Sequence, residues 1–144
     1  MRILLDNAIL VRASGTRRGL ARDLLLQIVE SQHLLLLSNE MLYELATVLR
    51  YPRMLALHGL SEARVYGCIG LLRHVAEIVV LNPLFTAPIR DATDIIVMQT
   101  AIVGEADVLC TRDKDFSEKP AGEYLNKIGI TVLDDIALMH RLRS

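Results

Sequence analysis

The sequence predicts an α/β domain: a parallel sheet covered by helices on both faces. Two observations lead there. Short runs apolar on successive residues, 2–5, 34–37, 78–81, 107–110 and 130–133, suit strands buried on both sides. Between them lie stretches whose apolar residues recur at helical spacing, and that alternation demands βαβ units with right-handed crossovers. The size agrees, since 144 residues at 52% hydrophobic content suit one domain, 1–144, around one core.

Each element has its own local reason. Residues 2–5 run into Asp6, and residues 14–19, with two glycines, read as a loop. Leu24, Leu25, Ile28 and Val29 place a helix over 20–30. After the strand 34–37, Ser38 or Asn39 caps a helix over 39–50 that stops before Pro52. Ser61 is the N-cap expected for a helix to about residue 75, with Gly67 and Gly70 inside it. Asn82-Pro83 and Pro88 bracket a loop after the strand 78–81. A helix over 92–104 comes next, with Gly104 as C-cap, then the strand 107–110. Residues 113–126 read as irregular apart from a helical turn, and after the strand 130–133 Asp134 caps a last helix to about residue 141.

In open parallel sheets ligands bind beyond the carboxyl ends of the strands, where the strand order reverses. The functional residues expected there are acids. Asp6 closes the first strand and reads either as a crevice ligand or as the N-cap of the next segment. Glu44 lies at the border of the apolar stripe Met41, Leu45, Val48, Leu49, with Glu40 a turn earlier as its competitor. Asp94 opens an almost wholly apolar helix and has no Lys or Arg at i+3 or i+4, so its partner must come from elsewhere. Asp91 suits capping of that helix. Asp113 comes after the fourth strand in Thr111-Arg112-Asp113, and Asp115 is a second ligand or a turn residue. The Thr111 hydroxyl can serve a carboxylate or a phosphate, or simply end the strand.

Carboxylates gathered within about 4–6 Å raise one another's pKa, and a divalent cation relieves the repulsion. With oxygen donors and neither Cys nor His among them, the set favours Mg²⁺ or Mn²⁺ over zinc. Such an ion polarises a phosphoryl oxygen and steadies a leaving oxygen, which suits phosphodiester hydrolysis.

The remaining composition narrows the field. A net charge of −1 argues against a generic basic nucleic-acid binder, although Arg12, Arg17, Arg18 and Arg22 gather in a local patch suited to phosphate or to a solvated face. There is no Trp and only four Tyr and two Phe, so base-stacking platforms are sparse. Cys68 and Cys110 suit reduced thiols better than a disulfide framework, and neither has a histidine at metal-ligand spacing. His33, His58, His74 and His140 are scattered. Apolar runs are too short to span a bilayer and Met1 opens no leader-like stretch, so the expected location is cytoplasmic.

The ordered acids resemble the PIN-domain family of metal-dependent ribonucleases over most of the chain. Met-Arg-Ile-Leu-Leu-Asp6 resembles its opening strand and first acid, and Ser38-Asn39-Glu40-Met41-Leu42-Tyr43-Glu44-Leu45 its second-acid helix. Asp91-Ala92-Thr93-Asp94 resembles the third-acid helix, and Thr111-Arg112-Asp113-Lys114-Asp115-Phe116 the closing Thr-x-Asp. Arg50-Tyr51-Pro52-Arg53 is similar to the VapC-like branch, the toxin components of toxin–antitoxin pairs. The resemblance implies a three-layer α/β/α sandwich on a five-stranded parallel sheet and Mg²⁺- or Mn²⁺-dependent endoribonuclease activity. It implies Asp6, Glu44, Asp94 and Asp113 as catalytic and metal-holding acids, a cognate antitoxin protein that blocks the cleft, and a homodimer. Asn7, Thr111 and Asp115 are auxiliary candidates, and Arg112 and the 12–22 cluster are candidates for holding RNA. The chain departs from the family pattern at Asp6-Asn7-Ala8, where Thr or Ser and then Asn usually come after the first acid. A second expectation therefore stands beside the first: a PIN-like module, weakened in catalysis, that binds RNA or a partner. A phospho-acceptor domain of the response-regulator kind would want a lysine near the end of the fifth strand, and there is no lysine after Lys127.

Overall fold

The computed structural model describes residues 1–82, 89 and 91–144. The loop expected between Pro83 and Pro88 lies outside them. In chain order the elements are β1 (Arg2–Leu5), α1 (Asn7–Gly15), α2 (Leu20–Val29), β2 (Leu34–Ser38), α3 (Asn39–Leu49), α4 (Pro52–His58) and α5 (Glu62–Val75). Then come β3 (Glu77–Val79), α6 (Ala92–Val103), β4 (Val108–Cys110), a 3-10 turn (Lys114–Phe116), α7 (Ala121–Lys127), β5 (Thr131–Leu133) and α8 (Asp135–Arg143).

The five strands form one parallel sheet in the order β3-β2-β1-β4-β5, between two layers of helix. The central strand β1 pairs Ile3 with Leu35 and Val108, and Leu4 with Leu36 and Leu109. All six of these side chains are essentially inaccessible to solvent, as expected of runs apolar on successive residues. From β1 the chain moves outward to β2 and β3, then returns across the sheet through α6 to β4 and moves outward the other way. The strand order therefore reverses between β1 and β4, whose ends are stitched together by the Asp6 backbone N–H donating to the Cys110 carbonyl at 3.0 Å.

The expected caps are present. Ser38 accepts from the Met41 N–H, Ser61 from Arg64 and Asp134 from Ala137, and each such cap is worth about 1 kcal/mol. Gly104 ends α6 for a reason of space: a Cβ there would lie 2.8 Å from the Thr100 carbonyl oxygen and 2.9 Å from a Val79 methyl. The buried Thr100 and Ser38 hydroxyls meet at 2.9 Å and fix α6 against the end of β2.

Three helices differ from expectation. Residues 7–15 are helical, with Asp6 as their N-cap. Pro52, expected as a stop, is the first residue of α4, where its missing N–H costs nothing. Within 113–126, expected to be irregular apart from a helical turn, α7 runs from Ala121 to Lys127, and its Leu125 is fully buried. Strand β3 is shorter and begins earlier than expected, since Val80 is 82% exposed and past the ladder. Among the described residues no helix is long and apolar enough to cross a membrane.

Candidate metal centre

The reversal of strand order brings two arms of the chain together. The first is the β1–α1 junction. Asp6 is 7% exposed, and its Oδ1 accepts the Ile9 N–H at 3.1 Å. Its Oδ2 accepts from the Thr111 hydroxyl at the end of β4. Burial pushes the Asp6 carboxyl up, only partly offset by the Thr111 and Ile9 hydrogen bonds and the Arg12 charge, while the Asp113 charge adds to the rise. Of the two uses expected of Asp6, the capping of α1 is present; its other oxygen is taken by Thr111, and Asp6 is not one of the three acids Asp94, Asp113 and Asp115 whose oxygens gather in one cluster.

The second arm is the turn after β4. Thr111 Oγ1 receives the Asp113 N–H at 3.0 Å, so one hydroxyl joins Asp6 to the Asp113 backbone. Asp113 Oδ1 then accepts the Asp115 N–H at 2.9 Å, which folds the turn back on itself. Phe116, 1% exposed, pins this turn to the core.

The N-terminus of α6 brings in the third acid. Asp91 caps the helix, accepting from Thr93 at 2.8 Å and Asp94 at 3.3 Å. That leaves the Asp94 side chain free of capping. One carboxylate oxygen each from Asp94, Asp113 and Asp115 lies within 4.8 Å of the others. The Asp94 carboxyl is pushed up to about 6, first by burial and then by the charges of Asp113, Asp91, Asp115 and Asp6. Asp94 is half-buried while Asp113 and Asp115 are exposed, and their crowding is the condition under which a cation at the centre of the group is favoured. The donors are all carboxylate oxygens, which fits Mg²⁺ or Mn²⁺ better than a soft metal.

Residues 2–115 match the family model of the PIN domain. The chain belongs to the PIN-domain family. A search of curated proteins returned no match. PIN domains are generally nucleases, so the family and the acidic cluster together place this chain among nuclease-type folds that bind nucleic acid and typically use a divalent metal.

Within this PIN domain the other expected residues fall into distinct places. Glu44 is half-buried on α3 and lies outside the three-carboxylate cluster. It lines a groove of about 650 Å³ with Asn39, Tyr43, Tyr66, Arg73 and Ile96. The Asn7 side chain has its amide nitrogen and oxygen both buried with no hydrogen-bond partner among the described residues, and Ala8 is exposed. Arg112 Nε donates to Asp135 at 2.7 Å, and Arg12 lies 3.7 Å from the other oxygen of the same carboxylate. Arg50 stacks 4.4 Å from the centre of the Tyr66 ring and pairs with Glu62 at 3.5 Å, so it braces α3 against α5.

Asp135 is the residue that sequence reasoning passes over. It is 1% exposed at the start of α8. Burial alone would raise its carboxyl, but the Arg112 hydrogen bond and the charges of Arg112 and Arg12 hold it below the usual carboxylate range. It grips both arms of the site at once, α1 through Arg12 and the post-β4 turn through Arg112. The available signal is a second aspartate directly after a capping one, with no cap of its own to make.

Proposed function

We propose that this chain is an endoribonuclease dependent on Mg²⁺ or Mn²⁺, and the toxin of a type II toxin–antitoxin pair. The observation that carries the reading is the carboxylate cluster at the reversal of strand order, with the Asp94 carboxyl pushed up to about 6 by burial and by the charges around it. Asp6, Glu44, Asp94 and Asp113 are the proposed catalytic and metal-holding acids, with Asp115, Thr111 and Asn7 auxiliary. When bound, the cation supplies neutralisation of the phosphoryl charge and support for the leaving oxygen. The protein's own part is positioning. Thr111 holds Asp6 and the Asp113 backbone in one frame, and Asp91 keeps Asp94 clear of capping duty. Asp94 or Asp113 is the carboxylate proposed to orient the attacking water. Arg112, oriented by Asp135, is the proposed RNA contact at the rim. The whole of residues 1–144 forms a single domain in this reading, acting in the cytoplasm as a homodimer silenced by a cognate antitoxin protein.

A second reading is favoured by one observation. The Asn7 amide is buried and unpartnered among the described residues, and Ala8 beside it has no polar side chain. That supports a PIN domain weakened in catalysis, acting as an RNA- or partner-binding module. One experiment separates the two. Purified protein is incubated with RNA and Mn²⁺, with EDTA and with Asp94→Ala as controls, while calorimetry records Mn²⁺ binding. Metal-dependent cleavage that disappears in Asp94→Ala supports the nuclease. Absence of both metal binding and cleavage supports the binding module, and a protein that in addition binds no RNA sinks both readings. Growth arrest on expression, relieved by Asp94→Ala and by a small neighbouring gene product, is the result expected of a toxin.

A further inference from the structure

A second groove, of about 630 Å³, opens where the C-terminal end of α1 and the start of α2 face the α4–α5 junction. Arg17, Arg22 and Arg64 line it, and no carboxylate does. In a chain of net charge −1 this is a local concentration of positive charge that nothing on the groove wall neutralises. No ion pair with a described carboxylate involves any of the three. Arg22 is held in place by its Nη1, which donates to the Ala13 and Thr16 carbonyls at 3.3 and 3.4 Å, while Arg17 and Arg64 are exposed. The lining also includes Gly15, Gly59 and Gly67, and a Cβ at Gly59 or Gly67 would meet nothing within 4 Å, so a backbone can approach closely. His58 is not among the free donors: its Nδ1 accepts the Leu60 N–H at 2.9 Å and its Nε2 faces the Leu49 carbonyl at 3.0 Å.

The groove sits at the far end of the helix whose near end carries Asp6. Nine residues at about 1.5 Å each put the two ends of α1 roughly 14 Å apart. At about 3.4 Å per stacked nucleotide this is a distance of roughly four nucleotides.

We infer that the Arg17–Arg22–Arg64 groove binds the phosphate backbone of single-stranded RNA a few nucleotides from the acidic centre. This rests on the ribonuclease reading for its ligand. Guanidinium groups suit phosphate oxygens geometrically as well as by charge. The groove supplies affinity without base readout, since its charged groups are arginines suited to phosphate.

The test is fluorescence anisotropy of a labelled 12-nucleotide single-stranded RNA over a salt series, in an Asp94→Asn background that does not cut it. Each phosphate that an arginine ceases to neutralise lowers the slope of log K against log salt by about 0.7, so Arg17→Gln/Arg64→Gln is expected to flatten it by about 1.4. Arg22→Gln, which also removes a brace, is added separately with its melting temperature recorded. Arg141→Gln/Arg143→Gln, on exposed positions of α8, is the control expected to leave the slope alone. Equal slopes for parent and double variant on the 12-mer overturn the groove. Displacement of the RNA by polyglutamate at equal charge concentration overturns it too, by making the occupant an acidic peptide. Cleavage is scored apart, in protein that keeps Asp94: its absence, with the slope difference intact, sinks the nuclease reading and leaves the groove standing.

Discussion

Asp94→Asn is expected to make the metal-free protein more stable while ending its response to metal. The Asp94 carboxyl is carried from 3.8 to about 6 on folding, chiefly by burial and then by the charges of Asp113, Asp91, Asp115 and Asp6. Well below pH 4 the group is protonated whether the chain is folded or not, and it costs the fold nothing. As pH rises through 6, the unfolded chain has already ionised while the folded one is forced to, and stability falls. A displacement of about two pH units corresponds to ~3 kcal/mol, which screening at a partly exposed site reduces to about 1–2 kcal/mol. The amide keeps the shape and removes the charge, so at pH 7.5 the variant should melt about 3–6 °C above the parent. At pH 4 most of that difference should be gone. Adding Mn²⁺ at 100 times its Kd should raise the parent by about 2.7 kcal/mol and the variant by little. Differential scanning calorimetry at both pH values, with EDTA and with Mn²⁺, supplies every number. A variant no more stable than the parent at pH 7.5, or equally stabilised at pH 4, would refute the account of Asp94 as a carboxylate strained by its neighbours.

Other perturbations probe the frame around it. Thr111→Val removes the hydroxyl shared by Asp6 and the Asp113 N–H; urea denaturation should show a destabilisation of about 1–3 kcal/mol, with weaker Mn²⁺ binding by calorimetry. Asp135→Asn leaves Arg112 and Arg12 without their carboxylate. Because both arginines are about half exposed, the cost should fall below the 3–5 kcal/mol of a fully buried pair, at about 1–3 kcal/mol by the same assay. Glu44→Gln should lower metal-dependent cleavage at least tenfold with an unchanged melting temperature in EDTA, and unchanged cleavage would remove Glu44 from the catalytic set. Mn²⁺ affinity in the parent should fall as pH drops through about 6, where Asp94 takes up its proton.

The sheet is legible in the sequence because buried parallel strands leave an unambiguous mark, and the caps are legible because Ser38, Ser61 and Asp134 each sit directly before an apolar-periodic stretch. The helices that escape notice share a cause. In α1 the buried Ile9, Leu10 and Ala13 come after the strand with only Asp6-Asn7-Ala8 between, too short a break for the change of period to register. Pro52 reads as a stop, yet a proline that ends one helix is equally suited to begin the next. In α7 seven residues carry only two buried side chains, too few to set a period.

The site is legible in kind and less so in membership, and the reason lies in how far each acid's position depends on tertiary structure. Asp6, Asp94 and Asp113 stand at a strand end, a helix start and a post-strand turn, places that the topology rule alone ties to the crevice. Asp115 reaches the cluster because its own N–H closes onto Asp113 Oδ1 and Phe116 is drawn into the core. That closure depends on the core accepting one side chain, which sequence spacing does not state. Asp135 lies further still from sequence reasoning, since its role exists only once α8 is packed and two arginines from distant segments converge on it. A carboxylate buried to 1% exposure with two guanidiniums at hand keeps Arg12 and Arg112 occupied beside a crowded group of acids. Removing it frees two cations within reach of that group, so Asp135→Asn should weaken Mn²⁺ binding as well as stability. Mn²⁺ binding left unchanged in a destabilised Asp135→Asn protein would limit Asp135 to bracing the two arms.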